Sequence, residues 1–144
     1  MDNEPYRDLT HHEAADLLAT MLGEFGNRAW RERTLPSGKR ADVLMLKASG
    51  DLEIFEVKTV FLPSLISDAQ RKYAHWCHRL WLVVPHLTID MLEEDSPPMW
   101  WTPNAARVGI IGIYRDAFSV FRASTRQAMT PALYEAATAQ LPKT

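Results

Sequence analysis

Three residues of this chain have the types and spacing that phosphodiester chemistry needs: Asp42, Glu56 and Lys58. In a strand, residues two apart point to the same face, so a strand from Leu52 to Lys58 sets Ile54, Glu56 and Lys58 on one side. A carboxylate and an ammonium then stand side by side at the end of an otherwise apolar run. Asp42 opens another apolar run, Val43 to Leu46, and a short turn can bring it beside Glu56. Two carboxylates without soft ligands make a hard-oxygen site suited to Mg2+ or Mn2+, completed by waters and a substrate phosphate. A lysine beside the attacking water can orient it, lower its pKa or stabilise the charge that builds on phosphorus. Glu-x-Lys alone arises by chance in roughly every second chain of this length, and such a pair more often marks a solvated strand face. Here Glu56 and Lys58 interrupt Ile54, Phe55 and Val57, and a helix and an apolar strand follow.

A third acid often assists two metal-binding carboxylates. Glu32, on the strand that should pair with that of Asp42 and on the face of Trp30 and Thr34, is the preferred candidate, and Glu13 on the first helix is the runner-up. The alternative for Glu32 is a surface ion pair with Arg31, Arg33 or Arg40. Arg28, Arg31, Arg33, Lys39 and Arg40 bracket the carboxylates, and Arg71, Lys72, His75, His78 and Arg79 follow in the next helix. Within these, Arg33, Lys39, Arg40, Arg71 and Lys72 are the nucleic-acid contacts expected to hold phosphates on either side of a cut, against the plainer reading of a solvated face. His11 and His12 lack a partner at metal spacing and read as capping or exposed residues. Trp100-Trp101, in a proline-bounded loop, could stack on bases, although such tryptophans more often pack. Cys77 reads as core, since no base accompanies it.

Positioning these groups requires the following elements. Thr10 with Glu13 forms a capping-box pattern, and Ala14, Leu17, Leu18, Met21, Leu22 and Phe25 follow at helical spacing, predicting a helix that ends near Gly26 and Asn27. Trp30 to Leu35, Arg40 to Leu46 and Leu52 to Lys58 are three strands separated by Pro36-Ser37-Gly38-Lys39 and Ser49-Gly50-Asp51, an antiparallel meander. Ser67 caps a helix to about Arg79, and Leu80 to Val84 is a strand buried on both faces. Thr88 to Pro103 reads as a short helix plus loop. Val108 to Tyr114 and Phe118 to Arg122 form a hairpin, and Pro131 to Leu141 a closing helix with proline at its first position.

Composition bounds the reading. The 144 residues suit one domain, 1–144, and 47% apolar with 24% charged residues can build a core. One cysteine precludes an internal disulfide and a cysteine-based zinc site. With no apolar run of membrane-spanning or signal-peptide length, the expectation is a cytoplasmic protein without a membrane partner. The formal charge of -2 argues against wrapping of nucleic acid by the whole surface, but it averages unlike segments. Residues 1–26 carry one base and six acids, while residues 27–47 carry six bases against Glu32 and Asp42. Local, salt-sensitive contact with DNA therefore stays open.

The pattern Arg40-Ala41-Asp42-Val43, then Ile54-Phe55-Glu56-Val57-Lys58, then a helix and the strand Leu80 to Val84, resembles the PD-(D/E)XK nuclease superfamily, and within it the MmcB-like DNA-repair family. The likeness continues through Cys77-His78-Arg79-Leu80-Trp81 and the hairpin from Gly109 to Phe121. Ala41 stands where the superfamily has proline, and Ala69-Gln70 where the narrower family tends to carry Lys-Trp. Gln70 and Tyr73 are one residue short of the Gln-x-x-x-Tyr helix of exonuclease-like members. The resemblance implies an α/β fold, a restriction-endonuclease-like core with a central mixed β-sheet flanked by helices, a divalent metal (Mg2+ or Mn2+) on Asp42 and Glu56, and Lys58 at the attacking water. The implied activity is that of a metal-dependent deoxyribonuclease, an endonuclease of DNA repair or recombination. The rival is a non-catalytic DNA-binding module or a partner subunit in a complex with other repair proteins. One site per chain means that cutting both strands of a duplex would need a homodimer.

Overall fold

Two glycine turns fold the first half of the chain into its meander. Gly38 and Gly50 sit at φ 89° and 95°, a left-handed region that costs glycine little. Around them Leu35 N–H donates to the Lys39 carbonyl at 2.8 Å, and Lys47 N–H to the Asp51 carbonyl at 2.9 Å, closing both hairpins. The strands so joined are β1 (Arg28–Thr34), β2 (Arg40–Leu46) and β3 (Leu52–Val57). Before them runs α1 (His11–Glu24), and after them α2 (Ser64–Tyr73), a short 3-10 turn (Ala74–Trp76), β4 (Arg79–Pro85), β5 (Val108–Tyr114), β6 (Ala117–Arg122) and α3 (Pro131–Ala139). The computed structural model describes residues 9–62, 64–85, 107–115 and 117–142. The expected short helix and loop from Thr88 to Pro103, with Trp100-Trp101, lie outside the described residues.

The strands form one sheet in the order β1-β2-β3-β4-β5-β6. β1, β2 and β3 pair antiparallel, β3 with β4 and β4 with β5 parallel, and β5 with β6 antiparallel. The parallel step from β3 to β4 needs a crossover, which α2 supplies. This mixed sheet flanked by helices, in the order helix, meander, helix, strand, is the α/β core that the sequence led us to expect.

Strand alternation divides the core in two. Leu44, Ile54, Leu80, Leu82 and Ile110 face α2 and α3, meeting Ile66, Ala69 and Tyr73 of the one and Ala137 of the other. Val43, Phe55, Val57, Val83 and Ile111 face α1 and meet its Ala14, Ala15, Leu18 and Leu22. Thr10 caps α1 with the full capping box, its hydroxyl accepting from Glu13 N–H and the Glu13 carboxylate accepting from Thr10 N–H. That caps the helix at His11 and anchors its apolar face by burial; a fully buried leucine such as Leu18 contributes about 2 kcal/mol.

One expectation needs correction here. The second helix begins at Ser64 and ends at Tyr73, not Ser67 to Arg79. The chain then turns through the 3-10 segment, so His78 and Arg79 leave the helix altogether. His78 is buried at the start of β4, where its Nδ1 accepts from Leu52 N–H at 2.9 Å, and Arg79 donates to the Ser124 carbonyl. Arg107 fastens the turn that follows the helix: its guanidinium donates to the carbonyls of Ala74, Cys77 and His78.

Candidate active site

β3 is buried along its whole length although two of its six residues are glutamates. Their positions decide their fates, because alternation sends them to opposite faces. Glu53, on the α1 side, accepts from the Trp81 indole N–H at 2.7 Å and stands 3.7 Å from Lys47 Nζ. Glu56, on the α2 side, is only 6% exposed, so the solvated-face reading does not hold for it.

Asp42 comes to Glu56 through strand register. β2 and β3 pair Leu44 with Ile54 and Val43 with Phe55, and one further step sets Asp42 opposite Glu56. At that step the ladder stops: Asp42 Oδ2 accepts from Val57 N–H at 2.8 Å, and the carboxylate takes the place of a backbone acceptor. The neighbouring backbone continues to the other side, where Lys58 N–H donates to the Val83 carbonyl at 2.9 Å. Lys58 is thereby held at the exit of β3, its Nζ 3.6 Å from Glu56 Oε2 and its side chain one-third exposed.

Two more side chains complete the site. Tyr73, the last residue of α2, is buried with its hydroxyl 3.0 Å from Glu56 Oε1 and 2.9 Å from the Arg40 carbonyl. One phenolic proton serves two acceptors, so with Glu56 protonated the chain of bonds can run from Glu56 to Tyr73 to Arg40. From the other face His11, the first residue of α1, brings Nε2 to 3.3 Å from Asp42 Oδ2. Burial, and then the charge of Asp42, raise the Glu56 carboxyl above its usual range, with Lys58 and Tyr73 opposing. Burial and the nearby Glu56 charge likewise push the Tyr73 phenol up. Lys58 offsets only part of the charge of the two facing acids, and a hard divalent cation suits that donor set. Asp42 and Glu56 are the residues that would hold it.

Glu32 does not join them. Pairing between β1 and β2 skips from Arg31 with Val43 to Arg33 with Ala41, and Glu32 in the gap adopts φ 56°. The kink breaks the alternation on which its assignment rested. Its carboxylate is half-exposed and 3.7 Å from Arg31, the surface pairing given above as the alternative. Glu13 is engaged in the helix cap. Among the described residues no three His, Cys, Asp or Glu side chains gather as a metal-binding group.

The basic block separates by function. Arg31 pairs with Asp16 of α1, Lys47 with Glu53, and Arg28 donates to the Pro142 carbonyl and stacks 4.9 Å over Trp30. Arg33, 6.0 Å from the Trp30 ring centroid, and the exposed Lys39 and Arg40 flank the Asp42 end of the sheet. Arg71 is exposed but paired with Asp68 three residues before it, and Lys72 is half-buried on α2. Cys77 is buried and its thiol is pushed up to about 12 by that burial, which removes it as a nucleophile.

Two participants were not identified as site residues from sequence. Tyr73 was legible in part, since Ile66, Ala69 and Tyr73 at i, i+3 and i+7 mark the buried stripe of α2. His11 carried no such signal, because its contact depends on where α1 crosses the sheet.

A helix, a three-stranded meander, a helix and a parallel strand, with an aspartate on the second strand facing a Glu-x-Lys at the end of the third, make an arrangement similar to that of the PD-(D/E)XK class. A family model for MmcB-like DNA repair proteins matches residues 10–144, and the chain belongs to that family. Among solved structures it is similar to the SPO1766 protein of unknown function from Silicibacter pomeroyi, with 19% identity and a TM-score of 0.69 over 93% of this chain and 85% of the other. A repair endonuclease from Pyrococcus abyssi matches at 21% identity and a TM-score of 0.40, over 62% of this chain and 45% of the other. No curated protein matches the chain in sequence. Among the described residues no helix is long and apolar enough to cross a membrane.

Proposed function

We propose that the chain is a divalent-metal-dependent DNA endonuclease of DNA repair, hydrolysing phosphodiester bonds at Asp42, Glu56 and Lys58. The observation that carries this reading is the buried Glu56, directly across from Asp42 and with the Lys58 ammonium 3.6 Å from its Oε2. A bound Mg2+ or Mn2+ would supply positive charge that polarises the scissile phosphate and favours the ionised form of water. The chain does the rest. Tyr73 holds Glu56 Oε1 and Val57 N–H holds Asp42 Oδ2, so that Glu56 Oε2 and Asp42 Oδ1 remain for the ion. Lys58 sits where it can orient the attacking water and stabilise charge on the phosphate oxygens. Arg33, Lys39, Arg40 and Lys72, together with Arg71, offer salt-sensitive contacts to the DNA backbone on either side.

A second reading has one observation in its favour: with two converging acids and no third among the described residues, the fold could serve as a DNA-binding module or partner subunit without cutting. Incubation with supercoiled, nicked and branched DNA in Mg2+ or Mn2+ separates the two. Nicking that falls by about a hundredfold or more in Lys58→Ala and Asp42→Asn, with DNA binding kept, supports the enzyme. Equal nicking by wild type and variants, or none by any, refutes it, and salt-sensitive binding without cleavage supports the module.

A further inference from the structure

β6 ends the sheet, and no strand among the described residues pairs with its outer edge. Such an edge is a template for another strand unless charge, proline or a kink guards it. The opposite edge is guarded in this way: β1 carries Arg28, Arg31, Glu32 and Arg33, and kinks at Glu32. From Ala117 to Phe121, β6 has no charge and no proline, its register shift comes only after Val120, and Ala117, Ser119 and Val120 are exposed. An apolar patch adjoins this edge. Phe25, 71% exposed beyond the end of α1, meets Phe118 edge-on with ring centroids 6.3 Å apart. Val120, 52% exposed, shares the α1 face with Phe118 by alternation. The two-residue turn between Tyr114 and Ala117 makes those two a hydrogen-bonded pair, so Ala117 and Ser119 direct their N–H and C=O to β5, and Phe118 and Val120 direct theirs outward.

From this pattern we propose that β6 is the interface of a homodimer, in which two copies of this chain join their sheets through an antiparallel β6–β6 pair centred on Ser119. The strand matches itself in that register. Phe118 of each copy falls opposite Val120 of the other as a hydrogen-bonded pair, an aromatic against a β-branched side chain, with Ser119 against Ser119 between them. Phe25 extends the apolar strip in each copy. Because this stretch carries no charge, nothing repels a second copy, whereas the same operation on β1 would crowd its three arginines against three more. A strand edge and two small patches cover an area at or below the roughly 1,200 Å² of the smallest specific interfaces, so the dissociation constant should be about 1–100 μM. The two-fold axis stands normal to the sheet and reverses the strand direction, which sends the Asp42 ends of the two copies to opposite ends of the joined sheet. This pairing therefore differs from one that would set two sites on the same stretch of duplex, and it does not rest on the cleavage proposed above.

The test is sedimentation equilibrium of the full chain, without DNA or metal, on wild type, Val120→Lys and Thr34→Lys, together with mild oxidation of Ser119→Cys and Ala117→Cys. Wild type should pass from monomer to dimer with rising concentration. Val120→Lys places a charge on the exposed edge and should weaken the dimer by about tenfold or more while the Tm of the dilute monomer stays unchanged. Thr34→Lys, an equivalent lysine on β1, should leave the dimer intact. The register is read by cross-linking. Facing residues of a non-hydrogen-bonded pair have Cα atoms about 4.5 Å apart, within disulfide reach, so Ser119→Cys should give a covalent dimer. Ala117→Cys, which falls opposite Phe121 in this register, should not, and Cys77 is buried in both proteins. A wild type that stays monomeric at all concentrations overturns the proposal. A dimer that Val120→Lys leaves unweakened, or in which Ala117→Cys cross-links and Ser119→Cys does not, overturns this interface and register.

Discussion

Replacing Glu56 by glutamine should make the metal-free protein more stable while abolishing its response to metal. The amide keeps the shape and an acceptor for the Tyr73 hydroxyl at 3.0 Å, but removes a charge that burial and Asp42 both disfavour. The Glu56 and Asp42 carboxyls come within hydrogen-bonding reach of each other, and two unit charges about 4 Å apart at an effective dielectric constant near 20 repel by about 4 kcal/mol. Lys58 offsets part of this, although its one-third-exposed side chain leaves that attraction screened by solvent. A net gain of about 1–2 kcal/mol is expected, or about 3–6 °C in Tm for a chain of this size. The gain should depend on pH in a defined sense. The folded-state pKa of Glu56 lies above the ordinary 4.5, so the folded protein loses stability as pH rises from 4.5 through that raised value. The advantage of Glu56→Gln is therefore absent in acid and grows as pH rises through that raised value. Thermal and urea denaturation in EDTA across this range measure it, and added Mn2+ should raise the Tm of wild type only. A variant less stable than wild type in EDTA near neutral pH would refute the reasoning, since it would mean that Lys58 and Tyr73 outweigh burial and repulsion.

Tyr73→Phe removes the hydroxyl between Glu56 and the Arg40 carbonyl, and should cost about 1–2 kcal/mol in urea denaturation; an unchanged midpoint would show that the hydroxyl contributes nothing net. Gly109→Ala should cost about 3 kcal/mol or prevent folding, because a Cβ there would lie 2.4 Å from the Trp81 ring and 2.6 Å from the Ser124 backbone nitrogen; its soluble yield and Tm report this. His78 is held neutral chiefly by burial, its pKa lowered below 6.5, and accepts from Leu52 N–H. Its contribution is intact above pH 6.5 and lost as pH falls through the lowered value, so stability should decline over that interval, and His78→Asn should flatten the slope.

Patterns local in sequence carried over into the fold. The capping box at Thr10 and Glu13, the two glycine turns and the proline at the start of α3 each placed an element boundary within a few residues, because the cap and the proline satisfy or remove backbone donors on the spot and glycine adopts the left-handed turn conformation. Asp42 and Glu56 were legible as a pair because a tight meander leaves little freedom in register. The second helix was drawn too long because its last turn gives way to a 3-10 segment under the guanidinium of Arg107, some thirty residues away in the chain.

The sequence by itself determined the ladder of elements, the two facing acids and the lysine beside them, since alternation and turn chemistry act over two to four residues. Tertiary structure alone decided the rest. It buried Glu56 by making β3 a central strand under α2, turned Glu32 away through a left-handed residue, and divided the basic block into arginines that tie elements together and cations left at the Asp42 end. It also brought His11 and Tyr73 to the carboxylates from opposite faces of the sheet. Those outcomes depend on which helix covers which face, a matter of packing between residues far apart in the chain that no local pattern encodes.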